Sequence, residues 1–153
     1  MFSKHSDAPF ITTNFGNIGI NNTILKNAKE LEKYNESGRK SFQYVMDNID
    51  KLTGEQRRIA LAYQKAGKSL VGDSLEDMIT HEVGHHISYM PRINSQLREI
   101  QTSTDWKKTA ERLSGYANHS FGEYVAESFN AYCRGEHESL QPEMIKVFDS
   151  LRK

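Results

Sequence analysis

Five consecutive residues hold the densest chemistry in the chain: His81-Glu82-Val83-Gly84-His85. His81 and His85 stand four apart. An α-helix turns once in about 3.6 residues, so on a helix both imidazoles project from one face, one above the other. Two stacked imidazoles can each give one nitrogen to a single ion. Glu82 follows the first histidine and would sit beside that ion without having to bind it. There a carboxylate can take a proton from metal-bound water. Zinc lowers the pKa of such a water toward about 7, so a modest base suffices. The plain alternative is a surface helix with two solvated histidines. Met78, Ile79, Val83, Ile87 and Met90 weigh against it, because they give the helix an apolar side to bury.

A catalytic zinc takes three protein ligands and keeps a fourth position open. A metzincin arrangement would need Gly at position 88 and His at 91, where the chain has Ser88 and Pro91. Glu99, Asp105, Glu111, His119, Glu123, Glu127 and the adjacent His86 remain as candidates for the third ligand. Glu123 and Glu127 stand out because they repeat the spacing of four within Glu123-Tyr124-Val125-Ala126-Glu127. Two carboxylates one turn apart on a half-buried helix repel each other unless a cation or a histidine lies by them. A ligand glutamate followed by an acid that accepts the free N–H of a ligand histidine supplies that reason. A solvated acidic edge is the competing reading. His86 points about 100° away from His85 on the helix, which suits a surface group or one that supports a ligand from outside. His119 could face the same cleft.

Thr80–Ile87, joined to Tyr116–Phe129, resembles the gluzincin metallopeptidases of the anthrax-lethal-factor type. That family pairs HExGH with a later E-aromatic-x-A-E-x-F helix and has a tyrosine seven residues before its ligand glutamate. Tyr116 stands seven before Glu123. The resemblance implies a Zn2+ cofactor held by His81, His85 and Glu123, with Glu82 as general base. It implies Tyr116 as the hydroxyl that stabilises the oxyanion, and a peptide or protein as substrate. The chain is also similar to compact zincin-like domains of phage head-associated and toxin-like polyproteins. In those, a Gly-Ile-Asn strand precedes the HExxH helix and a Tyr-Ala precedes the glutamate helix, as in Gly19-Ile20-Asn21 and Tyr116-Ala117. The likeness covers roughly residues 15–22 and 74–134. A binding or scaffold module that keeps a structural zinc is the second reading, and a non-peptide amide substrate a third.

The elements that must position these residues follow from periodicity and turn chemistry. Ile18–Asn21 reads as a short strand edge among Gly and Asn turns, able to pair with a peptide lying antiparallel to it. Helices are expected from Thr23 to a break at Asn35-Glu36-Ser37-Gly38, over Phe42–Ile49, and from Glu55 to Ala66 before Gly67, although the Ile59-Ala60-Leu61-Ala62-Tyr63 core of the last would also suit a strand. Ser74 with Asp77 three residues on reads as the N-cap of the histidine helix, which should stop before Pro91. Further helices are expected over Ser95–Leu113, Phe121–Cys133 and Gln141–Arg152. Trp106, Tyr124, Phe129 and Tyr132 fall on helical faces as core residues. The expected fold class is α+β, a helix-dominated zincin-like domain with a small sheet, spanning 1–153 as one domain with residues 1–12 as a loose leader.

Composition limits the partners. The 153 residues carry 20 Lys plus Arg against 20 Asp plus Glu, which gives no electrostatic case for nucleic acid or an anionic membrane. The single cysteine, Cys133, cannot form an internal disulfide and reads as a core thiol. No apolar stretch reaches the length of a membrane span, and the start lacks a signal-peptide core, so cytoplasmic synthesis is expected, with phage association or delivery as an effector compatible. No GxxxxGK[ST] or Gly-x-Ser-x-Gly is present, which removes phosphate-loop and serine-hydrolase readings.

Overall fold

The computed structural model describes residues 10–12, 18–20 and 28–152. Its frame is seven helices: α1 (Ala28–Asp47), α2 (Gly54–Ala66), α3 (Leu75–Ser88), α4 (Pro91–Ser103), α5 (Trp106–Leu113), α6 (Phe121–Cys133) and α7 (Pro142–Asp149). Two three-residue strands, β1 (Phe10–Thr12) and β2 (Ile18–Ile20), pair antiparallel with Phe10 opposite Ile20. Among the described residues the hydrophobic cluster is drawn from helices and their connections, from Val71 to Phe148. The α+β expectation is therefore corrected: among the described residues the architecture is all-α, and its strands amount to one two-stranded ribbon beside α3. Three residues per strand are too few to make a sheet face.

α6 is the centre of the packing. Tyr124 to Ser128 are all buried on it, and Tyr124, Leu113, Met144 and Phe148 are wholly enclosed. α3 lies directly against α6. A Cβ at Gly84 would stand 2.7 Å from the Ala126 Cα, so the glycine is what lets the two backbones approach this closely. Glycine in a helix interior costs about 1 kcal/mol relative to alanine; here that cost brings the histidine helix onto the glutamate helix.

Local chemistry fixes the ends of these two helices. The Ser74 hydroxyl accepts the Asp77 N–H at 3.1 Å while the Asp77 carboxylate accepts the Ser74 N–H at 3.1 Å, a complete capping box. Asp77 also receives the Arg134 guanidinium at 2.9 Å, tying the start of α3 to the end of α6. Ser120 caps α6 by accepting the Glu123 N–H at 3.1 Å. α2 ends as expected at Gly67, whose φ of 69° is the left-handed conformation that suits glycine.

Several expectations give way. The Asn35–Gly38 break does not occur, and α1 runs through it; the Thr23 start lies outside the described residues. The expected Ser95–Leu113 helix is divided at Thr104-Asp105, where Thr104 is extended and its hydroxyl donates to the Ile100 carbonyl at 2.8 Å. Ile79 and Met90 are exposed rather than buried. Cys133 is exposed, not a core thiol, because it falls on the outer face of the last turn of α6. Of the expected leader, 10–12 form β1 and 1–9 lie outside the described residues. Among the described residues no helix is long and apolar enough to cross a membrane.

Candidate metal centre

Three side chains from the two packed helices converge. His81 Nε2 lies 3.1 Å from His85 Nε2 and 3.1 Å from Glu123 Oε2, and His85 Nε2 lies 3.2 Å from Glu123 Oε2. The three atoms form a nearly equilateral triangle. A tetrahedral centre with bonds of about 2.0–2.1 Å holds its donors roughly 3.3 Å apart, so the triangle is the right size for one small ion. Two imidazole nitrogens and one carboxylate oxygen are also a donor set that suits zinc, whereas calcium and magnesium take mainly oxygen. His81, His85 and Glu123 are thus a group that could hold a metal ion.

Each side chain arrives for a local reason. α3 carries both histidines on the face turned toward α6. Glu123 sits in the first turn of α6, where the free N–H groups and the positive end of the helix favour a carboxylate. Glu127, one turn further on, is 1% exposed and accepts three hydrogen bonds. Its Oε2 receives the Val71 N–H at 2.8 Å and the Ser114 hydroxyl at 2.6 Å. Its Oε1 lies 2.7 Å from His81 Nδ1. An ionised carboxylate only accepts, so the proton between them sits on Nδ1. That choice leaves Nε2, facing Glu123 and His85, as the atom that takes either a proton or an ion.

Charge in the cluster is mutually stabilised. Burial opposes ionisation of Glu123, but His81 and His85 outweigh it and hold the carboxyl well below its usual range. Burial likewise opposes a charged His81, yet Glu123 and Glu127 raise its pKa. Without a metal, a proton on His81 satisfies the same triangle that an ion would.

The group opens onto a cleft of about 1510 Å³ running between α1 and α3, with Lys68–Asp73 along its side. The side chains of His81 and His85 keep 12% and 19% exposure, so the triangle has an open face. Glu82 and Tyr116 both line this cleft. Tyr116 is held by backbone ties: its N–H donates to the Ser69 carbonyl at 2.9 Å, and the neighbouring Gly115 N–H to the Lys68 carbonyl at 2.9 Å. Its ring stands 5.7 Å from that of His81. Burial pushes the Tyr116 phenol well above its ordinary pKa, so it stays a hydrogen-bond donor.

The other residues considered for the third ligand do not join the group. His86 is exposed. His119 accepts or donates at Tyr63 Oη, 2.9 Å away, and Glu111 pairs with Lys65. Sequence reasoning missed Ser114, Val71 and Tyr63. The first two complete the support of Glu127, and nothing in their spacing marks them, because each reaches the site from a separate connection. No family model, no curated protein and no solved structure matches the chain.

Proposed function

We propose that the protein is a zinc-dependent peptidase. The observation that carries this reading is the His81–His85–Glu123 triangle, backed by Glu127 and open to the cleft. Among the described residues the group contains three donors, the number a catalytic zinc takes; a structural zinc is normally closed by four. The cleft of about 1510 Å³ exceeds the roughly 300–1,000 Å³ of small-molecule pockets, which favours a polymer such as a peptide.

When bound, the zinc ion supplies Lewis acidity, acidifying a water and polarising a carbonyl. His81, His85 and Glu123 hold it, and Glu127 keeps the His81 imidazole in the tautomer that leaves Nε2 free. Glu82 is the general base: adjacent to His81 and facing the cleft, its carboxylate takes the proton of the attacking water and returns it to the leaving amine. Tyr116 directs its phenolic hydrogen at the carbonyl oxygen as negative charge develops there. The Lys68–Asp73 segment, bonded to Gly115 and Tyr116, fixes the position of that phenol relative to the histidine helix.

The test is Glu82→Gln in the zinc-loaded protein, assayed on a peptide library. Zinc stoichiometry should remain at one while turnover falls by about 10²–10⁴, the usual worth of a general base. Full-rate cleavage by the variant would overturn the mechanism. A parent protein that binds zinc and cleaves no peptide would favour the scaffold reading instead.

A further inference from the structure

The cleft has one wall made of rings. From the ligand His81, ring centroids step 5.7 Å to Tyr116, 5.1 Å on to His119, 5.8 Å to Tyr63 and 5.7 Å to Phe42. Tyr116, Tyr63 and Phe42 line the cleft, and the exposed His119 bridges Tyr116 and Tyr63 from outside the lining. The rings therefore link the metal group to α1 by way of His119, and Tyr116, Tyr63 and Phe42 are the members that face the cleft. The wall is also fixed in place. The Tyr63 hydroxyl lies 2.9 Å from His119 Nε2. A Cβ at Gly115 would stand 2.2 Å from the Tyr63 ring, so glycine there is what admits the ring.

The charges around the cleft point the same way. Among the described residues, the four Lys and Arg side chains that line it are all compensated by acids. Lys33 meets Glu30 at 2.9 Å and Arg39 meets Asp73 at 3.3 Å. Lys68 meets Glu136 at 3.4 Å and Arg134 meets Asp77 at 2.9 Å. A charged substrate side chain entering here would have to compete with an existing partner. An apolar one meets aromatic faces already half removed from water.

We propose that this wall is the specificity surface of the cleft and selects peptides with an aromatic or long aliphatic side chain within a few residues of the scissile bond. The inference rests on the peptidase reading for the word scissile; the wall itself is read from the rings. Phe42 and Tyr63 are the selecting residues, and His119 is a positioning residue that acts through Tyr63.

The experiment compares a matched series of short peptide hydroxamates carrying Phe, Leu, Gly, Asp or Lys, titrated into the zinc-loaded protein by calorimetry. The same side chains are set in fluorogenic peptides for turnover. Phe and Leu ligands should bind roughly tenfold to hundredfold more tightly than Gly, Asp or Lys, the range set by burying one large apolar side chain. Phe42→Ala should reduce the Phe-to-Gly ratio about tenfold and leave Gly binding unchanged, and Phe42→Leu should restore most of it. His119→Ala should weaken the Phe ligand while Tyr63→Phe, which keeps the ring, weakens it less. Equal affinities across the series, tighter binding of Asp or Lys, or no binding by any hydroxamate would overturn the proposal on the parent protein alone. Apolar preference in binding with no hydrolysis would leave the wall standing and remove the peptidase reading. Hydrolysis without apolar preference would do the reverse.

Discussion

Replacing Glu127 by glutamine would exchange one acceptor oxygen of the buried carboxylate for an NH2 donor. On one side of the group two donors approach, the Val71 N–H at 2.8 Å and the Ser114 hydroxyl at 2.6 Å. On the other side stands one, the His81 Nδ1–H at 2.7 Å. The amide therefore settles with its oxygen toward Val71 and Ser114 and its NH2 toward His81. Nδ1 must then accept, and the imidazole proton moves to Nε2, the atom that faces Glu123 and His85. Glu127→Gln thus removes a ligand lone pair without touching a ligand. Loss of such a supporting partner typically costs 10–100-fold in metal affinity, about 1.4–2.7 kcal/mol. Glu127→Ala differs in kind. It orphans three donors at roughly 1–3 kcal/mol each, so a stability loss of at least about 3 kcal/mol is expected. Zinc dissociation constants from competition with a chromophoric chelator at pH 7, alongside a thermal melt of the metal-free proteins, separate the two. A folded Glu127→Gln protein with the zinc affinity of the parent would refute the tautomer argument.

Gly84→Ala should destabilise the fold by about 1–3 kcal/mol in urea titrations despite the better helix propensity of alanine, because the added Cβ meets Ala126 Cα at 2.7 Å. A stabilised variant would show that the α3–α6 approach is not held by this glycine. Zinc affinity should rise with pH across the neutral range and binding should release a proton. The raised His81 pKa means that the metal-free protein carries a proton which the ion must displace, so affinity is weakest where His81 is protonated and gains as pH rises through its pKa. Calorimetry in buffers of different ionisation enthalpy measures that release, and none at pH 7 would contradict the description of the cluster.

The site was more legible in the sequence than the fold. Ser74 and Asp77 announce the start of α3, and the spacings of His81–His85 and Glu123–Glu127 announce two helix faces with complementary chemistry, because local periodicity fixes what lies on one helix face. That the two faces meet is a tertiary fact, yet the acids and imidazoles explain each other, which made the pairing inferable. The fold class was not legible, since Ile18–Ile20 carries strand chemistry but has only three residues to pair. α1 shows why the breaker residues misled. Asn35 turns its amide outward to the Asp73 carbonyl at 3.0 Å instead of competing with its own backbone. Gly38 faces open space, and Lys40 pairs with Glu36 one turn away, so the helix continues. At the Thr104 interruption the hydroxyl also lies 3.4 Å from Gln141 Oε1, at the start of a distant helix that no local window contains. Tyr63 and Phe42 escaped notice for the same reason.

The central claim is that His81, His85 and Glu123 bind one zinc ion and leave a position open to the cleft. Anomalous diffraction at the zinc edge from crystals of the metal-loaded protein tests it most directly. The account predicts one peak bonded to the two Nε2 atoms and to the Glu123 carboxylate, with a solvent molecule as the remaining neighbour. A peak elsewhere, or a zinc closed by a fourth protein side chain, would contradict it.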